Sequence, residues 1–358
     1  MEHLKKHIKA LHPEEFNGRY KKDNEDRKIK RSHTCPVVYL QNFAKVSDSY
    51  YQKLLNFDKN SYREPKRNEF LIYAHDKIEN SALFNTSLNN IGVKKNFYSS
   101  GVEKYLESLE NNVGKQFRKI RNMALSTFIN SSSIFRFIMC QLIRTPKFQE
   151  KIRKDQLFLR DMNEEDFQRS IMRGILVQKP EEVTQKSLKK IHEDFIMNNL
   201  LETIYKWSTI SLVTNNTDIP FITSDCPVVY KNAEFFPSYL NREKHIAFSI
   251  IIVPDTVNFF FPIDPRYAFL INNFDNNKKE VTIRDEDIFD EELIMTMNML
   301  EYQHSERFIY LKDNDEELVK KIRNKCGDKL NIEYQSMEYS YKVIKEEREM
   351  KNISKEQN

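Results

Sequence analysis

Two side chains suited to acid–base chemistry stand just before the two copies of the pentapeptide CPVVY in this chain. His33 lies two residues before the first cysteine, and Asp225 directly precedes the second. An imidazole titrates near neutral pH, as a general acid or base requires. A carboxylate at the end of a strand can orient such a base or hold a divalent metal ion. The pair therefore predicts catalytic chemistry if the two segments meet in the fold.

A structural interpretation of the second segment, FITSDCPV, stays open beside the catalytic one. Thr223 and Ser224 precede the aspartate, and Pro227 follows it by two residues. The hydroxyls and the carboxylate can hydrogen-bond the backbone of the turn that the proline enforces. In a functional site, Thr223 and Ser224 are instead candidates for ligand binding.

A permanent charge stands at the end of the apolar segment SSIFRFIMCQLIRTP. This segment predicts a helix buried on nearly all sides and stopped by Pro146, which leaves Arg144 at its end. A buried guanidinium must be paired, because an unpaired one costs roughly several kcal/mol. Glu110 or Asp225 can supply an ion pair that joins the helices to the sheet. Alternatively, Arg144 binds a phosphate or carboxylate through two hydrogen bonds.

The N-terminal residues 1–32 form a basic arm that we expect to be partly flexible. They contain ten Lys and Arg against six acidic residues, and few hydrophobic ones. The cluster of Lys28, Lys30 and Arg31 is suited to contacts with RNA, DNA or an acidic partner protein. No aromatic residues interleave with it, so a solvated leader is the other interpretation.

The elements that must position these side chains follow from hydrophobic periodicity. Apolar residues at helical spacing over 102–120 predict an amphipathic helix that carries Glu110. After Trp207, short β-branched and aromatic runs divided by Pro, Asp and Asn predict strands. A later helix, DEELIMTMNMLEYQH, carries Asn298, our fourth candidate catalytic residue.

These elements predict an α+β fold in which a helical middle lobe packs on a mostly antiparallel sheet formed by the C-terminal half. We expect one two-lobed domain over residues 33–335. Its helical lobe covers about 99–215 and its sheet lobe about 219–311, and a charged tail follows over 336–358.

Composition excludes several classes of protein. The net charge of +4 is too small to indicate nucleic-acid binding from total charge alone, and six glycines argue against Gly-rich phosphate loops. No run of about 18 apolar residues predicts a membrane span. The four cysteines are scattered and no apolar signal segment opens the chain, so we expect a cytoplasmic protein with reduced thiols.

The order of the motifs resembles a bacterial family known as domain-of-unknown-function family 4238. The motifs are H-x-x-P-x-x-Y-L-x-N-F from His33, R-T-P from Arg144 and F-I-T-S-D-x-P-V from Phe221, and the resemblance spans Ser32 to Leu311. Departures fall at Val37, Gln41 and Cys226. The resemblance implies no reaction. Its members resemble accessory genes of bacterial genomes and mobile elements, which implies a toxin or anti-phage setting.

Two functional hypotheses follow. In the first, a cleft brings together His33, Arg144, Asp225 and Asn298 to act on a phosphodiester as a ribonuclease-like defence or toxin effector. His33 is then the general acid or base, Asp225 orients it or binds a divalent metal, and Arg144 stabilises the phosphate charge. In the second, the same cluster is structural, and the protein is a binding or sensor module for a partner protein or small ligand.

Overall fold

Two five-stranded sheets pack against a shared layer of helices in the structure, which is a computed structural model. The structure describes residues 32–50, 65–94, 97–123, 129–165, 183–197, 209–231, 258–272 and 283–329. The expected α+β class is confirmed. The charged tail and all but the last residue of the N-terminal arm lie outside the described residues, and so do Lys28, Lys30 and Arg31.

The helices include those that the apolar periodicity predicts. In chain order they are α1 (Val37–Leu40), α2 (Ser100–Met123), α3 (Ser131–Ile143), α4 (Pro146–Asp161), α5 (Gln185–Met197), α6 (Glu291–His304) and α7 (Glu316–Cys326). Within the described residues, no helix combines the length and apolar character that crossing a bilayer requires.

The helical layer forms around α2 and α3. The apolar stripe of α2, which includes Leu106, Val113 and Phe117, is buried as its spacing predicts. Every residue of α3 from Phe137 to Ile143 is buried, so this helix lies inside the protein. Thr145 then caps α4, because its hydroxyl accepts a hydrogen bond from the backbone N–H of Phe148 (3.2 Å).

The first sheet is built from the C-terminal half of the chain, as the sequence predicts. Its strands in spatial order are β11 (Ile283–Ile288), β6 (Thr209–Asn215), β10 (Tyr267–Asn272), β9 (Asn258–Pro262) and β8 (Val229–Lys231). Only the pairing of β11 with β6 is parallel within this sheet. Strand β6 falls in the range expected for the helical lobe, but its β-branched letters TISLVTN suit a strand.

The second sheet combines strands from the two ends of the chain. It contains β2 (Lys45–Val46), β3 (Phe70–Asp76), β4 (Phe84–Ser87), β7 (Thr223–Ser224) and β12 (Phe308–Leu311). Strand β12 lies between β3 and β7, and both of its pairings are antiparallel. Beside this sheet, β1 (Ser32–His33) pairs with β5 (Val93–Lys94).

Within the described residues, the core consists of three clusters divided by the sheets. The largest joins the helical layer to one face of each sheet, with Phe261 of β9 and Tyr310 of β12 among its members. Helices α6 and α7 pack on the opposite face of the second sheet. The third cluster packs the N-terminal part of α6 against the first sheet. Helix α6 therefore contacts both sheets.

A close approach at Gly114 holds α2 against α1. A Cβ added there would lie 2.5 Å from Val38 Cγ2, well inside van der Waals contact. We expect Gly114→Ala to lower the free energy of unfolding by roughly 1–2 kcal/mol, although alanine favours helix over glycine by about 1 kcal/mol. Urea unfolding measures the change.

The matched control is the same substitution in a Val38→Ala background. Without the valine methyl groups, Gly114→Ala should be neutral or stabilising, because only its helix propensity remains. An equal loss in both backgrounds would contradict this packing explanation.

Candidate functional site

The segments that carry His33 and Asp225 lie side by side in the fold. The Sγ of Cys35 lies 4.0 Å from the carbonyl oxygen of Ser224, which directly precedes Asp225. The Tyr39 hydroxyl lies 2.5 Å from Thr223 Oγ1 and donates to the carbonyl of Pro262 (2.7 Å). The first CPVVY stretch therefore packs against the residues that lead into Asp225, and the two segments meet in the fold.

His33 itself lies in β1, where its backbone pairs with Val93. The catalytic role expected for its imidazole stays a prediction. The next residue, Thr34, is buried, and its hydroxyl donates to the carbonyl of Gly92 (3.0 Å). Gly92 has a positive φ of 61°, a backbone conformation that favours glycine.

The carboxylate of Asp225 accepts hydrogen bonds from three consecutive backbone amides. Oδ1 binds the N–H of Glu306 (2.8 Å), and Oδ2 binds those of Arg307 (2.8 Å) and Phe308 (3.0 Å). Its own N–H donates back to the Phe308 carbonyl (3.0 Å). Burial raises the pKa of Asp225, although the three amides oppose that rise. Asp225 therefore has a structural task, but it binds a turn far away in sequence and not the local turn at Pro227 that the structural interpretation expects.

The amides that Asp225 binds belong to the α6–β12 turn, which we define as residues 302–308. Two lysines bind carbonyl groups of this turn. Lys77 Nζ donates to the carbonyls of Tyr302 (2.9 Å) and Ser305 (2.7 Å). Lys147 Nζ donates to the carbonyl of His304 (2.8 Å). Burial lowers the pKa of Lys77 to about 8. The turn is therefore bound through its amides by a carboxylate and through its carbonyls by ammonium groups.

Arg144 is buried at the end of α3 and forms its ion pair with Glu110 of α2. The Nη1 atom lies 2.6 Å from Glu110 Oε1, and the guanidinium lies 5.9 Å from the ring centroid of Tyr98. Burial alone would lower the pKa of Arg144, but Glu110, together with Tyr98 and Cys35, opposes burial and leaves the pKa raised. Of the two ion-pair partners that the sequence allows, the structure shows Glu110. This pair joins two helices.

Asn298 is fully buried on α6 and binds the chain just before β7. Its Nδ2 donates to the carbonyl of Pro220 (2.8 Å), and its Oδ1 accepts from the N–H of Ile222 (3.1 Å). Both ends of this amide are therefore used to join a helix to a strand. The catalytic role expected for Asn298 stays a prediction.

Glu301 belongs to the same site, although sequence reasoning did not single it out. Ser224 Oγ donates to its Oε1 (2.7 Å) and also accepts the N–H of Cys226 (3.1 Å). Burial raises the pKa of Glu301 to about 8. One signal was present in the sequence: Glu301 follows Asn298 by three residues and shares its helix face.

A buried thiol lies among these charged groups. The charges of Arg144, Asp225 and Glu301 all act on Cys35, whose pKa is raised by burial and partly lowered by Arg144. The segments bearing the candidate residues are therefore near one another, although their polar groups bind separate backbone or side-chain partners. Among the described residues, no group of three or more His, Cys, Asp or Glu side chains is arranged to hold a metal ion.

A cavity of about 180 Å³ lies where the three sequence motifs meet. Thr34 from the first motif, Pro146 from the second and Asp225 from the third each line its wall. Further lining comes from Thr86 of β4 and from Arg307, which directly precedes β12. The motifs are far apart in sequence, so the fold alone creates this shared wall.

Comparison with known proteins identifies one family. The model of a family described as "Protein of unknown function (DUF4238)" matches residues 31–315. No curated protein and no solved structure matches the chain.

The amides around Asp225 lead to a prediction about stability. Asp225→Asn places an NH₂ donor against N–H donors, so we expect the free energy of unfolding to fall by roughly 2–3 kcal/mol. The matched control is Asp315→Asn at the start of α7, where the side chain accepts one bond from the N–H of Leu318 (2.9 Å). Asparagine caps helices as well as aspartate does, so this change should be nearly neutral. Equal stability of both variants would contradict the structural role of Asp225.

The buried carboxyl of Glu301 predicts a pH-dependent stability. Its pKa is raised in the folded state, so the folded protein holds a proton that the unfolded chain releases. The free energy of unfolding is therefore high at pH 5 and falls as the pH rises towards 8. The fall is at most about 1.4 kcal/mol per pH unit. Glu301→Gln should match the wild type at pH 5 and exceed it at pH 8 in urea unfolding. The exposed Glu291→Gln on the same helix is the control, and identical profiles for all three proteins would refute the prediction.

Proposed function

The chain belongs to the DUF4238 family, and we propose its function from the cavity at which its three sequence motifs meet. The protein is a binding module, and the cavity receives one group of a small ligand. The observation that carries this proposal is that Thr34, Pro146 and Asp225, one from each motif, line a single cavity. A purely structural role for the motifs does not require a hollow at their junction.

The internal bonds of the polar residues favour binding over catalysis. A general base needs a lone pair within hydrogen-bond reach of the substrate. The carboxylate of Asp225 is bonded to three amides, the amide of Asn298 to two backbone groups, and Arg144 to Glu110. Each of these groups has a structural task that chemistry on a substrate would interrupt.

The size of the cavity limits the ligand. Its 180 Å³ is close to the roughly 150 Å³ of an engineered apolar cavity that binds benzene. Pockets that enclose drug-sized molecules measure about 300–1,000 Å³. The cavity therefore accommodates a ring or branched group of fragment size and is too small to enclose a whole nucleotide.

The lining of the cavity indicates the chemistry of that group. Phe84, Phe308 and Tyr310 supply apolar and aromatic surface. Thr86 is 2% exposed, and among the described residues its Oγ1 has no hydrogen-bond partner. A buried hydroxyl without a partner is costly, and a polar atom of the ligand can satisfy it.

Two charged groups at the cavity wall, Arg307 and Asp225, are compensated within the protein, which favours an uncharged group. The guanidinium of Arg307 binds Asp76 Oδ2 through Nη2 and Nε (2.6 and 2.9 Å) and also reaches Glu79 (3.1 Å). The carboxylate of Asp225 is held by amides. We therefore expect an aromatic or branched group that carries one hydroxyl.

The cellular role remains a proposal from the motif resemblance. We propose a cytoplasmic sensor in a bacterial defence setting. The competing prediction is ribonuclease-like action. Its target is RNA or a partner protein, and it leaves open whether a divalent metal is required. Inducible expression followed by inspection of total RNA separates the two. RNA degradation that His33→Ala abolishes at an unchanged melting temperature would overturn the binding proposal.

Phenol and benzene form a matched probe pair for the cavity. We expect phenol to raise the melting temperature more than benzene does, because only phenol can hydrogen-bond Thr86 Oγ1. Thr86→Val keeps the shape and removes the hydroxyl, so it should abolish the preference for phenol and leave benzene binding unchanged. Ala74→Val, which narrows the cavity, should weaken both probes. If neither probe shifts the melting temperature at about 10 mM, the cavity does not bind such groups.

A further inference from the structure

A second cavity, of about 400 Å³, lies on the other side of the second sheet. It is bounded by the turn between β3 and β4 and by α7, with Ser81 and Leu83 on one side and Arg323 and Asn324 on the other. Ala74 and His75 are neighbours on β3 and line the first and second cavity respectively, because successive strand residues face opposite ways. The second cavity is large enough for a small metabolite.

His75 is a buried hydrogen-bond acceptor at this cavity. It is 3% exposed, and its Nδ1 lies 2.7 Å from the carbonyl oxygen of Ser81. A carbonyl only accepts, so Nδ1 carries the proton and Nε2 carries a lone pair. Burial lowers the pKa of His75, which keeps the ring neutral. Among the described residues, Nε2 has no hydrogen-bond partner.

Arg323 brings a positive charge to the same cavity. It is partly buried on α7, and no ion pair or hydrogen bond of its side chain occurs within the described part of the chain. The neighbouring Lys320 differs, because its Nζ lies 2.8 Å from Glu317 Oε1. Glu316 also lines the cavity and is exposed to solvent. Arg323 is therefore the more buried of these two cations, and the one without an ion pair among the described residues.

We propose that this cavity is a second binding site, for a small oxyanion that also carries a hydroxyl group. Arg323 binds the carboxylate or phosphate oxygens, for which the guanidinium supplies paired donors. The hydroxyl of the ligand donates to Nε2 of His75 and satisfies the buried acceptor. The site is separate from the cavity at the three motifs and does not depend on the function proposed there.

Three probes test this proposal and distinguish its two anion types: glycerol 3-phosphate, malate and inorganic phosphate. We expect saturable binding by calorimetry for glycerol 3-phosphate or malate, and weaker binding for inorganic phosphate. Binding should also move the ¹⁵N resonance of His75 Nε2 in protein labelled at histidine. Whichever of the first two binds more tightly identifies phosphate or carboxylate as the preferred group.

Two arginine substitutions locate the binding. Arg323→Gln should weaken it by roughly tenfold to a hundredfold, because it removes a charge-assisted contact. Arg153→Gln, which breaks an exposed pair with Glu150 on α4, should leave the affinity unchanged. A loss with both variants would reveal general charge attraction and overturn the proposal. If none of the probes binds saturably up to about 10 mM, the partner of Nε2 is an ordered water and the proposal is overturned as well.

Discussion

The rest of the structure depends on the three hydrogen bonds that the Asp225 carboxylate accepts from consecutive backbone amides. Hydrogen bonds to an ionised acceptor are roughly twice as strong as neutral ones, and a low dielectric strengthens them further. These bonds hold the start of β12, the strand between β3 and β7. They therefore join the N-terminal strands to the C-terminal half, and they hold the wall of the motif cavity in position.

The α6–β12 turn is bound by charges of both signs, each directed at the backbone dipoles that suit it. Asp225 faces amides, whereas Lys77 and Lys147 face carbonyls. Helix α6 adds Asn298 and Glu301, which hold the chain around β7 from the other side. The third sequence motif is thus the place where a helix, a turn and a strand are joined. The same residues stabilise the fold and shape the cavity. This double task explains why the motif suggests both a catalytic and a structural interpretation.

Local patterns in the sequence predicted much of the fold. The helices α2, α3 and α6 follow from apolar spacing, and most strands of the first sheet follow from β-branched and aromatic runs. Strand β3 carries a similar apolar and aromatic run, FLIYAHD, but its letters do not show which strand it pairs with. Its pairing with β12 joins residues more than 230 positions apart, and no local pattern encodes such a partner. Glu301 and His75 were missed for the same reason.

The sequence by itself determined the residue types and their order: the three motifs, the apolar helix that ends in Arg144, and the α+β class. The tertiary structure alone decided what each polar group binds. It paired Arg144 with Glu110, directed Asp225 to a turn some 80 residues away, and left hydrogen-bonding capacity at Thr86 and His75. The physical reason is that hydrogen bonds and ion pairs act over a few ångströms. Their partners are set by packing, whereas helix and strand formation responds to side chains that are close in sequence.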